Sequence, residues 1–169
     1  MPSPRRASQS RTFRGRIDGG ARGNPGPAGI GILIEDDQGG RDEIYAFLGS
    51  TTNNVAEYAA LLVLLDRCIR RRAARLVVHS DSLLLVKQMQ GEYRVKNPRL
   101  QELHGAARRL LARIPEVSFT HVPREENREA DRLANQAMDE RQSSEPLPEE
   151  VARLLFKGIQ QGFSFGEGG

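Results

Sequence analysis

One stretch of this 169-residue chain is apolar around nearly its whole circumference when it is read as a helix. We predict that this helix runs from about Asn54 to Arg71. Its apolar side chains are those of Val55, Ala59, Leu61, Leu62, Val63, Leu64, Leu65 and Ile69. A helix of this kind is buried rather than laid on a surface, so the other segments must pack around it.

Strand and helix patterns lie on both sides of the buried helix. Three strand-like stretches precede it, and residues 36–40 form a hairpin turn between the second and third. The whole order is βββαβααβα, which predicts an α/β fold, a mixed sheet with helices packed on it. The predicted strands are Thr12–Asp18, Ala28–Glu35, Glu43–Leu48, Leu76–His79 and Val117–His121. The other helices are predicted over Ser82–Gln90, from Asn97-Pro98 to near Pro115, and over Glu125–Arg141.

The two ends of the chain differ from its middle in charge. Residues 1–16 carry five arginines and no acid, although the net charge of the chain is only +3. A basic arm suits a phosphate polymer as partner. We expect a disordered basic arm over residues 1–10, one domain over residues 11–142, and a linker with a tail over residues 143–169.

Cysteine content and hydropathy indicate the compartment. The single cysteine, Cys68, permits no internal disulfide, which suits a reducing environment. No apolar run approaches the roughly 20 residues that span a membrane, and no secretory signal pattern is present. We therefore expect a cytoplasmic monomer without membrane contact.

The tail carries a short apolar stripe at helical spacing. Its members are Val151, Leu154, Leu155, Phe156 and Ile159, and Phe163 and Phe165 follow. Burying one such side chain is worth about 1.5–3 kcal/mol, so a stripe left in water is unfavourable. Either the stripe folds back onto the core, or it docks on another protein or a second copy of the chain.

Four acidic residues lie near the ends of four predicted elements, where strand–helix layers leave a crevice for ligands. They are Asp18, Glu57, Asp81 and Asp131. Carboxylate oxygens are the ligands that hard divalent cations prefer, and paired cations assist phosphate-ester cleavage. Each acid also has a local alternative. Asn54 and Glu57 could form a capping box, and Asp81 or Ser80 could cap a helix. Asp18 could form an Asx turn into Gly19, and Asp131 could form a surface ion pair with Arg128 or Arg132.

Two polar segments could contact a ligand. In the glycine-rich loop, residues 19–27, Gly19 and Gly20 let the backbone approach a ligand closely. Asn24 in that loop offers a donor and an acceptor, as a ribose 2′-hydroxyl does, although it could equally mark a simple turn. The polar residues that precede the buried helix suit phosphate oxygens at a helix N-terminus. The contacts expected there are Thr52, Asn53 and Asn54.

Four motifs, in order along residues 12–141, resemble type 1 ribonuclease H. They are the runs Asp18-Gly19-Gly20-Ala21-Arg22-Gly23-Asn24-Pro25-Gly26-Pro27, Thr51-Thr52-Asn53-Asn54-Val55-Ala56-Glu57, Ser80-Asp81-Ser82 and Asn127-Arg128-Glu129-Ala130-Asp131. The resemblance implies a five-stranded mixed sheet whose first three strands are antiparallel, flanked by helices. It also implies an endonuclease that hydrolyses the RNA strand of RNA–DNA hybrids with two Mg²⁺ ions, for which Mn²⁺ can substitute, leaving 5′-phosphate and 3′-hydroxyl ends.

The same resemblance assigns roles to single residues. It implies that Asp18, Glu57, Asp81 and Asp131 are the metal ligands, that Asn24 reads the RNA 2′-hydroxyl, and that Thr52 and Asn54 touch the DNA strand. Because the loop after His121 contains no glycine, the chain looks more like the archaeal-type and actinobacterial branch. We therefore expect Arg124, rather than a mobile His121, to assist catalysis.

Two further departures from well-known members concern the substrate. Residues 91–98 run straight into the next helix, so a basic protrusion is missing, and Leu83 stands where many members have glutamine. Two other functions stay open: a catalytically weak module that binds hybrids or double-stranded RNA, and an exonuclease or integrase core of related fold. All four carboxylates argue against the first, and the Asn24 loop argues against the second.

Overall fold

A computed structural model of the chain describes residues 11–156, and in it five strands form one mixed sheet in the order β3-β2-β1-β4-β5. The strands are β1 (Thr12–Ala21), β2 (Gly26–Asp36), β3 (Arg41–Thr51), β4 (Arg75–Ser80) and β5 (Glu116–His121). Neighbours among β1, β2 and β3 pair antiparallel, whereas β4 pairs in parallel with β1 and β5. The predicted mixed sheet is confirmed.

Helices cover both faces of this sheet. They are α1 (Asn53–Arg70), α2 (Leu83–Met89), α3 (Pro98–Leu111) and α4 (Arg128–Glu140), and residues 149–156 are also helical. Helix α1 packs on β1 and β2 and against α3, whereas α4 packs on β2, β3 and β1 from the other face. None of the helices within residues 11–156 is long and apolar enough to cross a membrane.

The apolar helix at the centre of the sequence is buried as predicted. In α1, Leu61, Leu62, Leu64 and Leu65 are fully buried. The cap, however, is Thr52, whose Oγ1 accepts a hydrogen bond from the Val55 N–H at 3.2 Å. A capping box needs its acid three residues after the cap, and Glu57 follows Thr52 by five. The alternative that pairs Asn54 with Glu57 is therefore wrong.

The glycine-rich segment is more regular than its composition indicates. Strand β1 continues through Gly19 and Gly20 to Ala21, so only residues 22–25 form the loop. A Cβ at Gly19 would overlap the backbone of α1. The prediction of an irregular loop over residues 19–27 was wrong, because glycine serves here to bring a helix against a strand. The Asx turn at Asp18 is wrong for the same reason, since the strand continues past it.

Three helix ends differ from the prediction. Helix α2 is capped by Ser82, whose Oγ accepts from the Leu85 N–H at 3.2 Å, so neither Ser80 nor Asp81 is its cap. Helix α3 ends at Leu111 because turn hydrogen bonds follow it. Helix α4 begins three residues later than predicted, because Arg124–Glu126 form a separate 3₁₀ turn.

The described part of the tail folds back onto the core. Val151 is only 2% exposed, and Leu147, Leu154 and Leu155 pack against the same cluster. Ser144 lies along the free edge of β3, where its N–H donates to the Tyr45 carbonyl at 2.8 Å. Ile159 of the stripe, the two phenylalanines that follow it (Phe163 and Phe165), and the predicted arm over residues 1–10 lie outside the described residues.

The packing of Val151 makes a stability prediction. Val151→Ala removes two buried methyl groups and should lower the free energy of unfolding by about 1–2 kcal/mol. Arg153→Ala is the matched control, because this side chain is exposed on the same helical segment. Chemical denaturation of the full chain measures both. Equal stability of the two variants would contradict the packing described here.

Candidate functional site

Three of the predicted carboxylates meet at one edge of the sheet. One carboxylate oxygen from each of Asp18, Glu57 and Asp81 lies within 4.8 Å of the other two. Strands β1 and β4 are parallel neighbours in which Ile17 pairs with Ser80, so Asp18 and Asp81 follow paired residues. Glu57 reaches them from α1, which lies against Gly19. Three elements distant in sequence thus converge on one acidic cluster.

The fourth carboxylate arrives from the opposite face of the sheet. Asp131, in the first turn of α4, lies beside the side chain of Asp18, where its charge and a hydrogen bond to the protonated carboxyl group raise the pKa of Asp18. Helix α4 can pack closely because the β2 residue that pairs with Asp18 is a glycine, Gly31. A Cβ at this position would overlap the α4 backbone. Within residues 11–156 no ion pair joins Asp131 to Arg128 or Arg132, and Arg132 instead pairs with Glu43 and Glu129, so the alternative surface pair is wrong.

Burial and mutual repulsion hold protons on this cluster in the absence of cations. Burial, followed by the charges of Asp81 and Asp131, raises the pKa of Asp18 to about 8. Burial, followed by the charges of Asp18 and Asp81, raises the pKa of Glu57 well above its usual value. The backbone N–H of Gly19 opposes both shifts by hydrogen bonding. Positive charge bound at the cluster would therefore stabilise the ionised carboxylates.

The donor set fits a hard divalent cation. Every side chain in the cluster offers carboxylate oxygen, which Mg²⁺ and Mn²⁺ prefer to nitrogen or sulfur. The Oε1 atom of Glu57 is buried and has no hydrogen-bond partner within the described part of the chain. A buried polar atom without a partner is unfavourable, and a cation would satisfy it.

The rim of the site is fixed by two asparagines. The Asn53 N–H donates to the Asn24 Oδ1 at 2.9 Å, and the Ala21 N–H donates to the Asn53 Oδ1 at 2.8 Å. Arg22 adds a second anchor, because its guanidinium contacts Asn135 and Asp139 of α4. The side-chain oxygen of Asn24 thus accepts a hydrogen bond from the protein itself. The side-chain N–H groups are the part of Asn24 that can donate to a ligand.

The other predicted contacts divide into buried and exposed residues. Gly19 is buried against α1 within strand β1, so the expected open loop is wrong, whereas Gly20 is only partly buried. The substrate contacts expected of both glycines stay predictions. The Thr52 hydroxyl caps α1, and Asn54 is exposed in the first turn.

His121 and Arg124 lie at the same edge of the sheet as the cluster. His121 pairs with Ser80, the residue before Asp81, and both His121 and Arg124 have exposed side chains. Their roles stay predictions.

One residue near the cluster, Asn127, was not predicted from the sequence to have a role at the site. Asn127 is fully buried, and its Nδ2 donates to the carbonyl oxygen of Ile17 at 2.8 Å. The sequence signal was its place four residues before Asp131 in the last motif, but nothing local reveals a partner 110 positions away.

Comparisons with known proteins agree with this geometry. Residues 16–137 match the family model described as "Reverse transcriptase-like". A bifunctional protein of Mycobacterium tuberculosis, Rv2228c, is 40% identical over 140 residues, which cover 82% of this chain but only 38% of that protein. The ribonuclease HI of Halobacterium salinarum is 40% identical over 125 residues, or 73% of this chain and 63% of that one. The structure of LC11-RNase H1 in complex with an RNA/DNA hybrid is 44% identical, has a TM-score of 0.72, and covers 76% of this chain and 98% of its own.

The raised pKa of Asp18 gives a pH-dependent stability. Between about pH 4 and pH 8 the folded protein retains a proton that the unfolded chain has lost, so metal-free stability falls as pH rises through that window. Asp81→Asn removes one repelling charge, so this variant should lose less stability than the wild type as the pH rises. If the pKa of Asp18 falls by one unit, the variant gains about 1.4 kcal/mol relative to the wild type at pH 8, which is about 3–5 °C in melting temperature.

Thermal melts in chelator at pH 5 and pH 8 measure this difference. Glu116→Gln is the control, because it removes an exposed acid at the start of β5. The control should follow the wild type at both pH values. If Asp81→Asn loses as much stability as the wild type on going to pH 8, the carboxylates do not repel one another as described.

Proposed function

Since the chain belongs to the ribonuclease H family, we propose that it is an endonuclease that hydrolyses the RNA strand of RNA–DNA hybrids. The observation that carries the proposal is the cluster in which carboxylate oxygens of Asp18, Glu57 and Asp81 lie within 4.8 Å of one another, with Asp131 next to Asp18. The similar structure that was solved with a hybrid supports the substrate. The chain spans 38% of the length of Rv2228c, so the proposal concerns this domain alone.

We propose that the four carboxylates hold two Mg²⁺ ions, for which Mn²⁺ can substitute. Such ions, when bound, supply the Lewis acidity and positive charge that phosphodiester hydrolysis needs. The role of the protein is to hold Asp18, Glu57, Asp81 and Asp131 close together before substrate binds. The hydrolysis leaves 5′-phosphate and 3′-hydroxyl ends.

Residues around the cluster would position the two strands differently. Asn24 donates its amide N–H to a ribose 2′-hydroxyl, the group that distinguishes RNA from DNA. Thr52, Asn53 and Asn54 lie at the N-terminus of α1, where backbone and side-chain donors suit phosphate oxygens. The backbone at Gly20 would contribute a further close approach to the substrate.

Exposed side chains around α2 fit a nucleic-acid duplex. Leu83 and Leu84, 44% and 38% exposed, begin α2 directly after Ser82 and Asp81. Tyr93, in the short connection after α2, is 47% exposed. An exposed aromatic side chain such as that of Tyr93 is of the type that stacks on bases. Leu83 stands at the position where many members have glutamine, and Tyr93 lies in the segment where other members carry the basic protrusion.

Arg124 is proposed to neutralise charge near the scissile phosphate, with His121 as the alternative that would move a proton as product leaves. A cytoplasmic monomer is also proposed, supported by the single buried thiol and by the tail side chains that pack on their own core.

The proposed function predicts a defined cleavage pattern. A hybrid with a labelled RNA strand should be cut internally with Mg²⁺ or Mn²⁺ and not in excess chelator, and the products should carry 5′-phosphates. Asp81→Asn should lower the rate by more than about 100-fold, the upper value for loss of a mere outer-shell partner. Undiminished cleavage in chelator, or equal cleavage of double-stranded DNA, would refute the proposal.

The donor role of Asn24 can be tested with paired changes in protein and substrate. Asn24→Asp keeps the oxygen that accepts from Asn53 and removes the donating amide. One 2′-deoxy substitution in the RNA strand should weaken binding to the parent protein by about fivefold, the effect of a single net hydrogen bond. The same substitution should leave the Asn24→Asp affinity unchanged. Binding is measured in the Asp81→Asn background, which leaves the hybrid intact.

The control for the added charge is Asn54→Asp, which is exposed in the first turn of α1. In the Asn54→Asp control, a 2′-deoxy substitution in the RNA strand should still weaken hybrid binding as it does for the parent protein. If the deoxy substitution weakens Asn24→Asp as much as it weakens the parent, Asn24 does not read the 2′-hydroxyl.

A further inference from the structure

Asn127 contacts the backbone of both segments that carry the Asp18–Asp131 pair. Its side-chain Nδ2 donates to the carbonyl oxygen of Ile17, the residue before Asp18, at 2.8 Å. The backbone carbonyl oxygen of Asn127 accepts a hydrogen bond from the Asp131 N–H at 3.1 Å. The residue is fully buried, so these bonds are shielded from water. One residue therefore links the end of β1 to the first turn of α4.

The start of α4 is unusual among the helices described. Helices α1, α2 and α3 are capped by the side chains of Thr52, Ser82 and Asn97, respectively. Asn127 is also the N-cap residue of α4, yet its side chain makes no cap hydrogen bond. An asparagine cap is typically worth about 1 kcal/mol to a helix. In α4 the asparagine amide is directed to β1 instead.

Packing and this hydrogen bond fix different degrees of freedom. Gly29 and Gly31 of β2 let α4 lie close to the sheet, which sets the distance between helix and strand. A hydrogen bond depends on both distance and angle, so it constrains the position of a helix along a strand more sharply than apolar contact alone. Arg16 reinforces the same junction, because its guanidinium donates to the Glu126 carbonyl at 3.5 Å.

We propose that Asn127 is a positioning residue for the carboxylate site, and that its bond to the Ile17 carbonyl places Asp131 against Asp18 so that both can hold divalent cations. The inference rests on the proposed function in one respect, that Asp131 is a ligand. Outer-shell partners of metal ligands typically change metal affinity by about 10- to 100-fold. Loss of the Asn127 bond should have an effect in this range.

A substitution to serine separates positioning from folding. Asn127→Ser keeps at this N-cap position a residue type that helix N-termini favour, but its short side chain cannot reach Ile17. The matched control is Asn97→Ala, which removes the cap of α3, where Asn97 Oδ1 accepts from the Leu100 N–H at 3.0 Å. The control should melt at a lower temperature without metal and should bind metal as the wild type does.

Calorimetric titration of the full chain with Mn²⁺, without nucleic acid, measures the affinity directly. Asn127→Ser should bind Mn²⁺ at least about tenfold more weakly than the wild type. The rise in melting temperature on adding Mn²⁺ should shrink in the same variant. Asn97→Ala should retain both values. Equal Mn²⁺ affinity of wild type and Asn127→Ser would overturn the inference and leave the proposed function standing.

A double-mutant cycle tests whether the effect passes through Asp131. In the Asp131→Asn background, Asn127→Ser should change the Mn²⁺ affinity less than about twofold, because the positioned ligand is already lost. The same large loss in both backgrounds would show a general disturbance of the site and would overturn the inference. A wild type that binds no Mn²⁺ at all would overturn the proposed function as well.

Discussion

Acidic side chains held in contact are the constraint on which this structure depends. Asp18 is brought against Glu57 by α1 on one face of the sheet and against Asp131 by α4 on the other. Glycines at 19 and 31 remove the side chains that would keep these helices away. Burial, followed by repulsion from the neighbouring carboxylates, raises the pKa values of Asp18 and Glu57. The fold thus supplies an acidic site whose mutual repulsion bound cations would relieve.

The rest of the molecule supplies the stability that the acidic site lacks. Helix α1 buries its apolar circumference between the sheet, α3 and the tail, where Val151 joins the same core. Arg67 connects α1 to both Asp42 and Glu145, so the tail is held by charge as well as by apolar contact. Ser144 covers polar backbone at the outer edge of β3, which would otherwise be free to pair with another strand.

The sequence predicts what depends on local pattern and misses what depends on distant partners. The periodicity of α1 and the carboxylates at element ends are readable because burial and cation binding require those residue types. The strand through Gly19 and Gly20 is not, since glycine favours turns unless a partner strand and a packed helix occupy both sides. Asn127 is missed for the same reason: asparagine before a helix predicts a cap, and only the tertiary structure provides the Ile17 carbonyl.

Anomalous X-ray scattering from crystals grown with Mn²⁺ tests the central claim most directly, because it locates the ions without reference to activity. The account predicts density for Mn²⁺ in contact with the carboxylates of Asp18, Glu57 and Asp81, at a concentration that supports cleavage. Mn²⁺ bound only at other surfaces under those conditions would contradict it.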